Sequence, residues 1–217
     1  MSLITEAQLD ALQEFINIGV GRAAGMLNEM VDAPIQLSIP ALKVFDSNSL
    51  KQELTQRFRE RRFSAVRLGF SGSFTGSAEL VFPTDSASAL VSLLTGEDRD
   101  SPDLDAVKIG TLTEIGNIVI NGVVGSLSNL LKQNMQYTLP TYLEDTLEYL
   151  LTVDALPDRE SVFLLAQAKF EIQQLEIMGE IILIFEMSSF EALLECIDRE
   201  LLLISPNKKT IEDYATS

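Results

Sequence analysis

Residues 12–40 read LQEFINIGVGRAAGMLNEMVDAPIQLSIP, and residues 112–140 read LTEIGNIVINGVVGSLSNLLKQNMQYTLP. Superposed at a shift of 100, the two stretches share Leu12/Leu112, Glu14/Glu114, Asn17/Asn117, Ile18/Ile118, Gly25/Gly125, Leu27/Leu127, Gln36/Gln136 and Pro40/Pro140. Further on, Gly76 to Phe82 aligns with Gly179 to Phe185 at a shift of 103. Self-similarity over such a span marks one supersecondary unit written twice. The two copies cover about 1–97 and 103–200, with a polar joint at 98–105 and a short polar tail at 205–217. Each copy would hold only about 100 residues and shows no separate core signature, so one domain over 1–217 is expected rather than two.

Each copy reads as long helix, strand, excursion, two strands and short helix. In the first helix, Thr5 and Gln8 form a capping-box pattern, each side chain meeting the other residue's free backbone donor. Leu9, Leu12, Ile16, Val20, Ala23, Leu27 and Met30 follow the spacing of a buried stripe. The stripe of the second long helix is Leu112, Gly116, Ile120, Val123, Leu127 and Leu130. Ala65 to Thr75 and Ser77 to Phe82 read as antiparallel strands joined at Gly76, followed by a helix from Pro83-Thr84-Asp85 to about Thr95. Val162 to Gln173 and Glu176 to Phe185 form the matching pair, and Ser188 to Glu191 suggests a second capping box for the helix containing Cys196. A strand pair cannot bury its apolar face alone. The expected fold is therefore α+β, a pseudo-two-fold duplication in which a mainly antiparallel sheet is covered by helices.

Composition removes several classes of function. The chain of 217 residues carries 16 Lys+Arg against 32 Asp+Glu, a net charge of −16, and no histidine. Serine and cysteine triads, His-ligated zinc and phospho-histidine transfer all need an imidazole that is absent. The single cysteine, Cys196, excludes an internal disulfide and any multi-cysteine metal site. Strong acidity argues against nucleic acid, whose phosphates call for Lys and Arg, and against an anionic membrane. No uninterrupted apolar run approaches the length of a membrane span, and the first residues, Met1 to Glu6, show no secretory pattern. A soluble, cytoplasmic protein without a metal of its own is expected.

On the first long helix Asp10, Glu14, Asn17 and Gly21 fall on one face, rotated from the buried stripe. Glu14 and Asn17, three residues apart, project side by side over one turn. The second helix repeats this with Glu114 and Asn117, and Asn121 follows one turn on. One such pair alone would be ordinary solvated surface. Two copies at equivalent positions are more informative, because Asn is a poor helix former yet sits mid-helix twice. Glycines crowd the same helices, and Gly21, Gly25 and Gly125 are candidates for close approach by another protein's backbone.

The spacing Asp10-x3-Glu14-x2-Asn17-x22-Pro40 resembles the signature of the CheC-type chemotaxis phosphatases, the CheC/CheX/FliY family, and Glu114-x2-Asn117-x22-Pro140 repeats it. At the first position the family has Asp or Ser, where this chain has Gly110. Two motif copies are most similar to two-site CheC. The resemblance implies a phosphatase that hydrolyses the aspartyl phosphate of a phosphorylated CheY-type response regulator. On that reading Asn17 and Asn117 hold the attacking water, as a glutamine does in GTPases, and Glu14 and Glu114 pair with a lysine beside the partner's phosphoaspartate. Mg2+ would belong to the response regulator. Asp10 is an auxiliary candidate or simply a solvating residue, and Pro40 and Pro140 are structural. A CheD-type deamidase is a second candidate partner. The rival reading is a non-catalytic adaptor that docks a receiver domain or such a deamidase.

Of the remaining features, the basic run Arg57 to Arg62 reads as a solvated surface helix, and the matching region 143–160 is acidic. Cys196 reads as a small buried hydrophobe.

Overall fold

A computed structural model of the chain describes residues 4–30, 34–58, 61–97, 104–146, 149–150, 161–172 and 175–204. In chain order the elements are α1 (Glu6–Met30), β1 (Ile35–Ser38), β2 (Leu42–Asp46), α2 (Ser47–Phe58), β3 (Arg62–Gly72), β4 (Gly76–Pro83) and α3 (Thr84–Thr95). The second half supplies α4 (Leu104–Leu130), β5 (Met135–Tyr137), β6 (Thr141–Thr146), β7 (Ser161–Ile172), β8 (Leu175–Glu186) and α5 (Met187–Ile204). The fold is α+β, built on one eight-stranded sheet whose pairings are antiparallel.

Sheet order explains how the halves combine. The path runs β1-β7-β8-β4-β3-β5, with β2 also on β7 and β6 also on β3. Exchanging each strand for its counterpart in the other half returns the same path reversed, which is the pseudo-two-fold. The outer strands have crossed over: β1 and β2 of the first half lie on β7 of the second, while β5 and β6 lie on β3.

Each half has one strand more than the sequence suggests, because its outer strand is interrupted. Ser38 faces Lys169 and Leu42 faces Ala166, so Ile39, Pro40 and Ala41 span the place of Gln167 and Ala168. Phe70 faces Tyr137 and Arg67 faces Thr141, so Thr138, Leu139 and Pro140 span the place of Leu68 and Gly69. Three residues against two is a bulge, one of the few places a sheet accepts proline, which has no N–H to give the ladder. Pro40 and Pro140 occupy these equivalent bulges.

Most of the core lies between the sheet and α1, α3, α4 and α5, where Leu12, Ile16, Val66, Leu80, Val119 and Phe170 are fully enclosed or nearly so. A smaller cluster on the opposite face includes Leu50, Phe63, Leu165 and Ile182. Strand residues are consequently buried on both faces near this cluster, and clean alternation fails there: β7 begins with five consecutive buried residues after Ser161. The same face holds an ion pair, Arg67 Nη2 to Glu79 Oε1 at 2.6 Å, with Glu79 fully buried. Arg67 also donates to the Leu150 carbonyl. Beside α4, buried Lys108 meets Glu144 at 3.3 Å, and the Tyr142 hydroxyl bridges Glu144 and Ser64. Burial pushes the Tyr142 hydroxyl above the ordinary phenol range, with the Ser64 hydrogen bond opposing it.

Several expectations need correction. The hairpin turns over residues 73–75, with Gly76 the first residue of β4. Ser188 caps nothing, because α5 starts a residue earlier, and the Ser189 hydroxyl accepts from the Thr75 N–H. The basic run is not one helix: α2 ends at Phe58 and Arg62 opens β3, where Nη2 donates to the Glu144 carbonyl. By mean hydropathy, 1.2, the stretch Ala106–Leu130 is apolar and long enough to resemble a membrane span, though no single run within it is. Half of it is buried against the protein's own core. The joint at 98–105 lies mostly, and the tail at 205–217 wholly, outside the described residues, as does most of 147–160.

Candidate active site on two packed helices

Two long helices carry the sequence-derived pairs, and local chemistry fixes where each begins. At the start of α1 the Thr5 N–H donates to Gln8 Oε1 at 2.9 Å and the Gln8 N–H donates to Thr5 Oγ1 at 3.3 Å, a complete capping box. Gln8 Nε2 also donates to both Asp198 carboxylate oxygens at 3.0 Å, tying the helix to α5. At the other end Asn28 accepts from the Ile35 N–H and donates to the Ile35 carbonyl, clasping α1 to β1. Leu12, Ile16, Val20, Ala23 and Leu27 are buried, while Leu9 is half-buried and Met30 exposed. The stripe on α4 is wider than expected: Ile115, Ile118, Val119 and Val124 are buried too, since this helix lies between α1, α3 and the sheet.

The helices meet at glycine. A Cβ at Gly19 would overlap the Gly122 carbonyl oxygen and stand 2.8 Å from the Val123 Cα, while one at Gly122 would lie 2.8 Å from the Gly19 carbonyl oxygen. Gly116 serves the sheet instead, because a Cβ there would come within 2.5 Å of the Val66 side chain. Close contact at Gly19 and Gly122 packs the two helices directly against each other, and each keeps an exposed surface.

On that surface Glu14 and Glu114 are exposed, and Asn17 and Asn117 are half-buried beside them. Among the described residues neither glutamate has an ion-pair partner, so both carboxylates are available to an incoming cation. Asn17 has no side-chain hydrogen bond among those residues. Asn117 does: its Oδ1 accepts from Asn121 Nδ2 at 2.7 Å. Position 21, the counterpart of 121, is glycine. Gly21 and Gly25 are exposed with nothing within 4 Å of an added Cβ, whereas Gly125 faces the Tyr137 hydroxyl at 4.0 Å. Asp10 is exposed at the edge of the first site.

Sequence reasoning missed a cavity of 450 Å³ beside the second site. Leu27, Met30, Leu94, Val107 and Gly110 line it and Glu114 stands at its edge. Its signal was present in Gly110, which puts no side chain where the motif has Asp or Ser; Met30, expected in the buried stripe, gave none. Chemically, each site offers a carboxylate and a carboxamide one turn apart on one helix surface. That surface can bind a cation and position a neutral molecule, in a chain that has no imidazole.

A family model described as chemotaxis phosphatase CheX matches residues 64–158, which include the pair on α4. Over 142 residues the chain is 28% identical to CheY-P phosphatase CheC of Bacillus subtilis (strain 168), covering 63% of this chain and 66% of that one. Over 182 residues it is 24% identical to the flagellar motor switch phosphatase FliY of the same organism, covering 82% of this chain and 45% of that one. The chain thus spans less than two thirds of the length of either curated relative. The crystal structure of Thermotoga maritima FliY matches with a TM-score of 0.71 at 17% identity, over 92% of this chain and 100% of that one, a likeness of fold. The duplicated Glu/Asn spacing, these relatives and the likeness of fold agree in making the chain similar to the CheC, CheX and FliY proteins.

Proposed function

We propose that this protein accelerates hydrolysis of the aspartyl phosphate on a CheY-type response regulator in the cytoplasm, working as one unit of two repeats with a site on each long helix. The observation that carries the reading is the repeated pairing of an exposed glutamate, without an ion-pair partner among the described residues, with a half-buried asparagine on two helices in contact at Gly19 and Gly122. Phosphoryl transfer asks the protein mainly for positioning and charge stabilisation. The carboxamides of Asn17 and Asn117 offer an acceptor and a donor that together align water with phosphorus, and neither changes charge near neutral pH. Glu14 and Glu114 each pair with a lysine beside the phosphoaspartate, which sets the docking register through a charge-assisted hydrogen bond. Mg2+ sits on the regulator in this scheme. Gly21 and Gly25 leave room for the partner's backbone. A CheD-type deamidase would use a surface other than these faces.

The test is phosphate release from a response regulator charged with acetyl phosphate. The unaltered protein speeds release, and Asn17→Ala combined with Asn117→Ala abolishes the effect while thermal unfolding stays unchanged. Acceleration that survives the double substitution refutes the assignment. Binding of the regulator without any acceleration by the unaltered protein favours the adaptor reading.

A further inference from the structure

We infer that Asn121 is a positioning residue, one that orients the Asn117 carboxamide and distinguishes the second site from the first; the inference rests on the phosphatase reading above. Asn121 lies one helical turn beyond Asn117 on α4, and both side chains are half-buried. Its Nδ2 donates to Asn117 Oδ1 at 2.7 Å. The two ends of a carboxamide are chemically opposite, an acceptor oxygen and a donor NH2. The torsion that exchanges them is broad and nearly two-fold, so an unrestrained asparagine presents either end. The bond from Asn121 removes that freedom. It holds the oxygen toward the following turn with one lone pair still open, and keeps the NH2 on the other side of the group.

The first site lacks this device. Its counterpart position is Gly21, with open space around it, and Asn17 has no side-chain hydrogen bond among the described residues. One reaction therefore meets a pre-oriented carboxamide at one helix and a rotating one at the other. Where catalysis consists of positioning, orienting the group before the transition state raises kcat. Immobilising one side chain corresponds to a rate factor of about three to ten. Docking through the glutamates is left alone, so KM stays where it was.

The experiment uses the same charged response regulator and two single-site proteins, Asn17→Ala and Asn117→Ala. In the Asn17→Ala protein, Asn121→Gly and Asn121→Leu each lower kcat by about three- to tenfold with KM within about twofold. Asn121→Gln, which keeps a donor, recovers part of the loss. In the Asn117→Ala protein, Gly21→Asn raises kcat by a similar factor, and this arm stands even if a substitution at 121 disturbs folding. Unchanged kcat in these variants, a KM effect in place of a kcat effect, or a silent second site in the Asn17→Ala protein overturns the inference while the phosphatase reading survives. No acceleration by the unaltered protein overturns both.

Discussion

The contact between α1 and α4 predicts opposite outcomes for two glycines only two residues apart. Gly19→Ala places a methyl group 2.8 Å from the Val123 Cα and 2.9 Å from the Gly122 carbonyl carbon, as well as against its oxygen. Ordinary contacts between such atoms lie at about 3.5–4.0 Å, so the helices must part by about 1 Å or bend. The obstructing atoms are backbone on both sides, and no rotamer change relieves them. Overpacking of this kind costs about 1–3 kcal/mol, while the better helix propensity of alanine returns about 1 kcal/mol. The net is a loss of about 0–2 kcal/mol. Gly21→Ala has the same gain with no clash, since nothing lies within 4 Å of its added Cβ, and stabilises by about 1 kcal/mol. For a chain of this size each kcal/mol moves Tm by about 2–4 °C. Urea and thermal unfolding followed by far-UV circular dichroism should show Gly21→Ala above the unaltered protein and Gly19→Ala at or below it. Two equal upward shifts would refute the close helix contact.

Arg67→Leu leaves the fully buried Glu79 carboxylate without its 2.6 Å partner and should cost about 3–5 kcal/mol, read as a lower urea midpoint with an unchanged slope. The tyrosines set an alkaline limit. Desolvation by burial raises both Tyr137 and Tyr142 above the usual value near 10, so the unfolded chain loses these protons first. Their neutral forms support the fold fully below that value, and the support is lost as pH rises through it. Unfolding midpoints should fall above about pH 10, and Tyr142→Phe should reduce the slope, whereas an unchanged slope removes Tyr142 from the account.

Features that depend on neighbours in the chain were legible in the sequence. The Thr5/Gln8 box, the middle of the buried stripe of α1 and the end of α3 near Thr95 all follow from spacing alone. Features that depend on distant partners were not. Ser188 looked like a cap, but Thr75 recruits the neighbouring Ser189 from 114 residues away. The outer strands β2 and β6 are short, and their pairing partners lie in the opposite half, so no local pattern announces them. Arg67 and Glu79 are cross-strand neighbours on the face that Leu50 of α2 and Leu150 cover, and no local pattern announces their ion pair. At the candidate site the Glu/Asn pairs were visible through their repetition. The bond from Asn121 was not, because a mid-helix asparagine has solvent, its own backbone and the preceding turn to choose among.

Crossed outer strands tie the fates of the two sites together. The first repeat closes its outer strands on β7 and the second closes its own on β3, so loosening either hairpin weakens the support under both helices. A descendant whose second site had fallen silent would still have to keep nearly every enclosed residue of that repeat, or lose the first site too. The copies differ inside as well as outside, as at Ile16/Gly116 and Ala23/Val123, but each inner change has to keep the packing of both halves. On the outer faces of α1 and α4, where no such constraint acts, the copies differ at 10/110 and 21/121.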